Sequence, residues 1–151
     1  MYFDGGSRGN PGLSGAGCFL EIHSMQSNNL IQQISMRKYV GVKATNNIAE
    51  YEGLLLGIKE VEKIISINNV KVKRFCIRGD SDLIVNQLTG HYECRNKGLK
   101  PKFNLAMEKI NYFIRLDIQV TIEHVKRCDN KIADGKWGYV KILAYLELTI
   151  R

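Results

Sequence analysis

Four acidic residues stand in four separate settings along the 151-residue chain. They are Asp4 in Tyr-Phe-Asp-Gly-Gly, Glu50 in Thr-Asn-Asn-Ile-Ala-Glu, Asp80 in Arg-Gly-Asp-Ser-Asp and Asp134 in Asn-Lys-Ile-Ala-Asp. Carboxylates drawn from distant parts of a chain to one spot repel each other, so such a cluster persists only with cationic neutralisation. For an all-oxygen donor set, the fitting cation is Mg²⁺ or Mn²⁺. Acids gathered around divalent metal in a basic protein suit phosphodiester chemistry. Each acid also has an ordinary structural reading. Asp4 precedes glycine, as turn residues do. Glu50 follows Asn47 by three residues, in the manner of a capping box. Asp80 can cap the helix that follows it, and Asp134 can be a solvated acid of a late helix.

The acids need elements to hold them. Residues 1–4 read as the end of a strand, and Gly5 to Gly12 as a turn-forming loop. Strands follow at about 15–23 and 31–41. Residues 46–65 carry Ile48, Tyr51, Leu54, Leu55, Ile58, Val61 and Ile65 at helical spacing. A strand over 70–77, a short helix over 81–88 and a helix over 99–115 come next. The last of these has Leu105, Ile110, Phe113 and Ile114 as core candidates. A strand over 116–125 and a helix starting near Asn130 complete the chain. The order β-β-β-α-β-α-α-β-α predicts an α/β fold: a meander extended by crossovers into a mixed sheet covered by helices. Sites in such sheets form at strand ends, where Asp4 and Asp80 fall.

Composition narrows the partners. Lys and Arg total 22 against 15 Asp and Glu, a formal charge of +7, which favours polyanions, nucleic acid before membrane. Arg95, Lys97, Lys100 and Lys102 form a basic stretch that could track a phosphate backbone or be plain solvated surface. The cysteines Cys18, Cys76, Cys94 and Cys128 form no Cys-x-x-Cys pair, and His23, His91 and His124 are scattered, which argues against a zinc site. Cys18 and Cys76 lie in apolar strand-like runs as small buried side chains. The sequence shows no signal peptide and no bilayer-length apolar run, so the expected setting is intracellular and cytoplasmic, with nucleus or organelle left open. No protein partner and no membrane contact are expected.

Taken together, Tyr2 to Gly12, Thr45-Asn46-Asn47-Ile48-Ala49-Glu50, Gly79-Asp80-Ser81 and Asn130-Lys131-Ile132-Ala133-Asp134 resemble the ribonuclease H type 1 family, in order and at compatible spacing. The resemblance implies a ribonuclease H-like domain over residues 1–134, with a five-stranded mixed sheet in the order 3-2-1-4-5 flanked by helices. It implies endonucleolytic cleavage of the RNA strand of RNA–DNA hybrids, with double-stranded RNA as a further candidate substrate. Two Mg²⁺ ions, or Mn²⁺ in their place, would sit about 4 Å apart. Asp4 would bridge them, Glu50 and Asp80 would complete one shell, and Asp134 would help to hold the other. Gly5 and Gly6 would let backbone approach a ribose, and Asn46 and Asn47 would meet the minor groove, where 2′-hydroxyls mark RNA. Thr45 and Asn130 resemble phosphate-binding positions, and Asn10 and Ser81 are also placed on the substrate side.

The match is to the shorter, archaeal-type branch, because Gly90 to Lys97 leads directly into the next helix with no basic protrusion. The histidine-bearing loop of other members is replaced by a short segment in which Arg127 stands. Residues 135–151 depart from the family pattern, with Gly135 and Gly138 weakening a helix by about 1 kcal/mol each. This tail is expected to pack on the same domain. The altered end leaves a second reading, a nucleic-acid-binding module of the same fold with impaired catalysis. A nuclease or transposase relative is a third, since one fold hosts several phosphoryl-transfer activities.

Overall fold

The computed structural model describes residues 1–68, 71–126 and 146–149. Strands β1 (Tyr2–Arg8), β2 (Gly12–Ser24) and β3 (Leu30–Ala44) form an antiparallel meander. Helix α1 (Asn46–Asn68) follows, then the two-residue strand β4 (Lys71–Val72) and β5 (Arg74–Gly79). Helices α2 (Asp82–Leu88) and α3 (Lys100–Arg115) lead into β6 (Gln119–His124), and β7 (Leu146–Thr149) is the last described element. The main sheet runs β3-β2-β1-β5-β6, with β1, β5 and β6 parallel to one another. This is the expected 3-2-1-4-5 order. The late helix expected near Asn130 lies outside the described residues.

Three expectations need correction. The stretch Gly5 to Arg8 is strand rather than loop: it stays in register with β2 from Tyr2↔Phe19 to Arg8↔Leu13. The inter-strand ladder overrides the turn preference of its glycines, and the turn shrinks to residues 9–11. In α3, Ile110 and Phe113 are buried but Leu105 and Ile114 are exposed, and Ala106 takes the core position between them. The sheet also carries two short additions, since β7 pairs parallel with β2 at Ile22–Ser24 and antiparallel with β4.

The core lies between α1 and the sheet. Phe3, Leu20, Tyr51, Leu54, Ile58, Phe75 and Ile77 are almost fully buried, and Phe75 meets Phe113 edge-to-face at 5.4 Å between centroids. Tyr51, Leu54, Ile58 and Val61 form the buried stripe of α1, three or four residues apart. Cys18 and Cys76 are buried as expected, and Cys94 is as well. Helix and strand come unusually close where side chains are missing. A Cβ at Gly53 would lie 2.4 Å from the carbonyl oxygen of Asp4 and 2.7 Å from that of Gly17. A Cβ at Gly5 would lie 2.1 Å from the carbonyl carbon of Ala49. Glycine on both surfaces seats α1 against β1, with Glu50 beside Asp4.

Glu52 ties three elements together. Its carboxylate accepts from Lys38 on β3 at 2.5 Å and from Lys102 on α3. Burial pushes this carboxyl up, but Lys102 and then Lys38 outweigh it and hold it below its ordinary value. A depressed folded pKa gives stability that is present above the unfolded value, near ~4.3, and lost as pH falls through the folded one. Glu52→Gln should therefore cost about 1 kcal/mol at pH 7 and flatten the acid limb below pH ~5. Urea midpoints measured from pH 7 to pH 3 would check this. An acid limb as steep in the variant as in the parent would count against the tie.

Candidate active site

Asp4 lies mid-strand in β1, directly opposite Gly17 on β2, which in turn faces Arg37 on β3. Asp80 follows the last residue of β5, and Glu50 is in the second turn of α1. The three half-buried carboxylates converge, each offering an oxygen within 4.8 Å of the others. Opposite ligands of Mg²⁺ are about 4.2 Å apart, so small side-chain adjustments would seat one ion among them. The donor set, all carboxylate oxygen, fits Mg²⁺ or Mn²⁺ and not a soft metal. Asp134 lies outside the described residues, as do Asn130 and Arg127.

The local hydrogen bonds differ from simple helix capping by these acids and Ser81. Thr45 caps α1: its hydroxyl oxygen accepts from the amide of Ile48 at 3.3 Å, so Glu50 is no capping-box partner. Ser81 occupies the N-cap position of α2 yet makes no side-chain cap bond. Its hydroxyl donates instead to Oε2 of Glu50 at 2.7 Å. At Asp4, the backbone amide of Gly5 donates to Oδ1 at 2.8 Å.

The polar rim beside the acids is ordered. The Asn46 side-chain oxygen accepts from the amide of Ser7 at 2.8 Å, and the Asn10 side-chain oxygen accepts from the amide of Asn46 at 3.1 Å. Both exposed asparagines have their oxygens engaged inside the protein, so each turns an NH₂ donor outward. The two glycines differ as well. The space above Gly5 is filled by the Ala49–Glu50 peptide, whereas nothing lies within 4 Å of a Cβ at Gly6. Next to the acids, a cleft of about 620 Å³ is lined by Gly6, Arg8, Arg37, Lys38 and Tyr39. In the basic stretch, Arg95 pairs with Glu93 and Lys102 with Glu52, while Lys97 and Lys100 are exposed.

Sequence reasoning set His124 aside with the other scattered histidines. It is exposed, but it stands at the rim of the acid cluster. Parallel pairing puts it opposite Gly79, and its Nε2 lies 3.3 Å from the carbonyl oxygen of Asp80. The β5–β6 register is the signal that would have found it, and spacing alone does not reveal that register.

The reverse transcriptase-like family model matches residues 2–135. Ribonuclease HI of Halobacterium salinarum is 32% identical over 134 residues, which make up 89% of this chain and 59% of that protein. LC11-RNase H1, crystallised in complex with an RNA/DNA hybrid, superposes with a TM-score of 0.63 at 30% identity, covering 88% of each chain. The chain belongs to the ribonuclease H type 1 family. A bifunctional protein of Mycobacterium tuberculosis is also similar, 30% identical over 131 residues that make up 87% of this chain. The chain spans 32% of that relative's length. The family's sheet order and its helix placement agree with the fold described above. No helix among the described residues is long and apolar enough to cross a membrane.

Proposed function

We propose that this protein is a divalent-metal-dependent endonuclease that hydrolyses the RNA strand of RNA–DNA hybrids. The observation that carries this reading is the convergence of Asp4, Glu50 and Asp80 from a strand, a helix and a strand end within 4.8 Å. Three acids brought together from separate elements suit a shared divalent cation. Asp4, Glu50 and Asp80 would together hold one divalent ion, and Asp4 with Asp134 would hold a second. Bound Mg²⁺ or Mn²⁺ supplies an activated water and neutralises the charge that develops on the leaving oxygen.

The chain's own groups do the rest. Ser81 holds one Glu50 oxygen and leaves the other to the cluster. Asn10 and Asn46 present donors to minor-groove acceptors and to the 2′-oxygen that separates RNA from DNA. Asn47, one position further along α1, joins them. The open flank of Gly6 lets backbone meet a ribose. Gly5 supports the site from beneath by admitting α1. Thr45 keeps its hydroxyl proton for a phosphate oxygen while its lone pair caps α1. Asn130 and Arg127, outside the described residues, are assigned by sequence alone to phosphate contact, Arg127 with a surface acid as its alternative partner. Lys97 and Lys100 offer charge to the backbone of the duplex. A reducing intracellular setting suits the free thiols of Cys18, Cys76 and Cys94.

In this mechanism water attacks phosphorus in line and the P–O3′ bond breaks. RNA fragments should therefore carry a 5′-phosphate and a 3′-hydroxyl. Product-end analysis by mass spectrometry tests it, because 2′,3′-cyclic phosphate ends would mean attack by the neighbouring 2′-hydroxyl. The second reading, a binding module with impaired catalysis, is favoured by Gly135 and Gly138 just after Asp134. Each glycine costs a helix about 1 kcal/mol, which would weaken the hold of this acid on a metal. Hybrid binding with no cleavage at any Mg²⁺ or Mn²⁺ concentration would select it.

A further inference from the structure

Beneath the acid cluster, two buried polar side chains meet. The Tyr51 hydroxyl donates to Oε1 of Gln87 at 2.7 Å, and the residues are 0% and 4% exposed. Tyr51 is the residue after Glu50 on α1, and Gln87 lies in the last turn of α2, the helix that begins two residues after Asp80. A buried Phe–Leu contact of the same shape would fill this space at similar stability, because a single internal hydrogen bond adds little net energy over water. What a buried polar pair adds is direction: leaving either partner unsatisfied is costly, so the two helices are held at one separation and one rotation. The need is specific here. Helix α2 has only seven residues and cannot hold its place by its own helical stability. Nearer the surface, Ser81 donates to Glu50 at 2.7 Å, so the same two segments are tied at two depths.

We infer that Tyr51 and Gln87 are positioning residues for the metal site, fixing the distance between Glu50 and Asp80 through the α1–α2 spacing. This rests on the metal-dependent reading proposed above. The pair touches neither substrate nor metal. Its loss should loosen the ligand geometry and weaken the cation, but leave the chemistry intact once the cation is bound.

The experiment uses Tyr51→Phe, Gln87→Met and the double variant beside the parent, with melting curves for all four. Mn²⁺ binding is read without substrate from the electron paramagnetic resonance signal of the free ion, and hybrid cleavage is titrated with Mg²⁺. Each single variant should bind Mn²⁺ about tenfold more weakly and need about tenfold more Mg²⁺ for half-maximal rate. The rate at saturating Mg²⁺ should stay within about twofold of the parent, and hybrid affinity in chelator should not change. The double variant should be no worse than either single, as expected of partners in one bond. If Tyr51→Phe fails to fold, Gln87→Met carries the test. Unchanged Mn²⁺ binding in a folded variant overturns the inference, and so does a lower rate at saturating metal with metal affinity intact. A parent that binds Mn²⁺ but cleaves nothing overturns the proposed activity instead, and the Mn²⁺ arm still decides the role of the pair.

Discussion

Asp4→Asn should abolish cleavage of the hybrid, by at least about 10³-fold, while hybrid affinity stays within about threefold of the parent. The substitution keeps the shape of the side chain and the bond from the Gly5 amide to Oδ1, so the fold is not asked to change. It removes the negative charge at the centre of a cluster whose other members, Glu50 and Asp80, lie within 4.8 Å. Relieving that repulsion should leave the variant as stable as the parent or slightly more so. A thermal melt alongside a cleavage time course would show both effects. Cleavage retained within tenfold would remove Asp4 from the centre of the site.

A second large effect belongs to packing. Gly53→Ala places a methyl group 2.4 Å and 2.7 Å from the carbonyl oxygens of Asp4 and Gly17, both backbone atoms of paired strands. Neither oxygen belongs to a side chain that could rotate away, so α1 must lift from the sheet. The cost should be about 3 kcal/mol, the upper part of the range for overpacking. For a chain of this size that lowers the melting temperature by ~6–12 °C. Because α1 carries Glu50, the lift should also raise the Mg²⁺ needed for half-maximal rate, whereas Gly6→Ala, made in open space, should leave the melting temperature near the parent's. Differential scanning calorimetry of the two variants checks the contrast. Equal melting temperatures would mean that α1 is not seated on these glycines.

Much of the site could be read in the sequence because it consists of residues whose types conflict with their local surroundings. Asp4 in a strand stands out against propensity, and with Asp80 at a strand end it pointed to one end of one sheet. Helix α1 was legible from its apolar repeat. What stayed hidden depends on pairing across the chain. The glycines of β1 read as a loop because their strand character comes from the β2 ladder and not from their own preference. Leu105 and Ile114 fit a helical stripe, but the core takes the position beside each, Ala106 and Phe113. The hydroxyl of Ser81 would ordinarily cap its own helix, and only the packing of α1 against α2 shows that it serves Glu50. His124 was missed for the same reason, since its place beside Asp80 depends on the β5–β6 register.

If the converging acids hold divalent cations that cut RNA paired to DNA, substrate and cation together decide cleavage. End-labelled RNA–DNA hybrid, double-stranded RNA and double-stranded DNA of one sequence are each given to the protein with Mg²⁺, Mn²⁺ or chelator. The expected result is internal cuts in the RNA strand of the hybrid with either cation, none with chelator and none in double-stranded DNA at any condition. Cleavage of the hybrid that persists in chelator, or cutting of duplex DNA in preference to the hybrid, would contradict it.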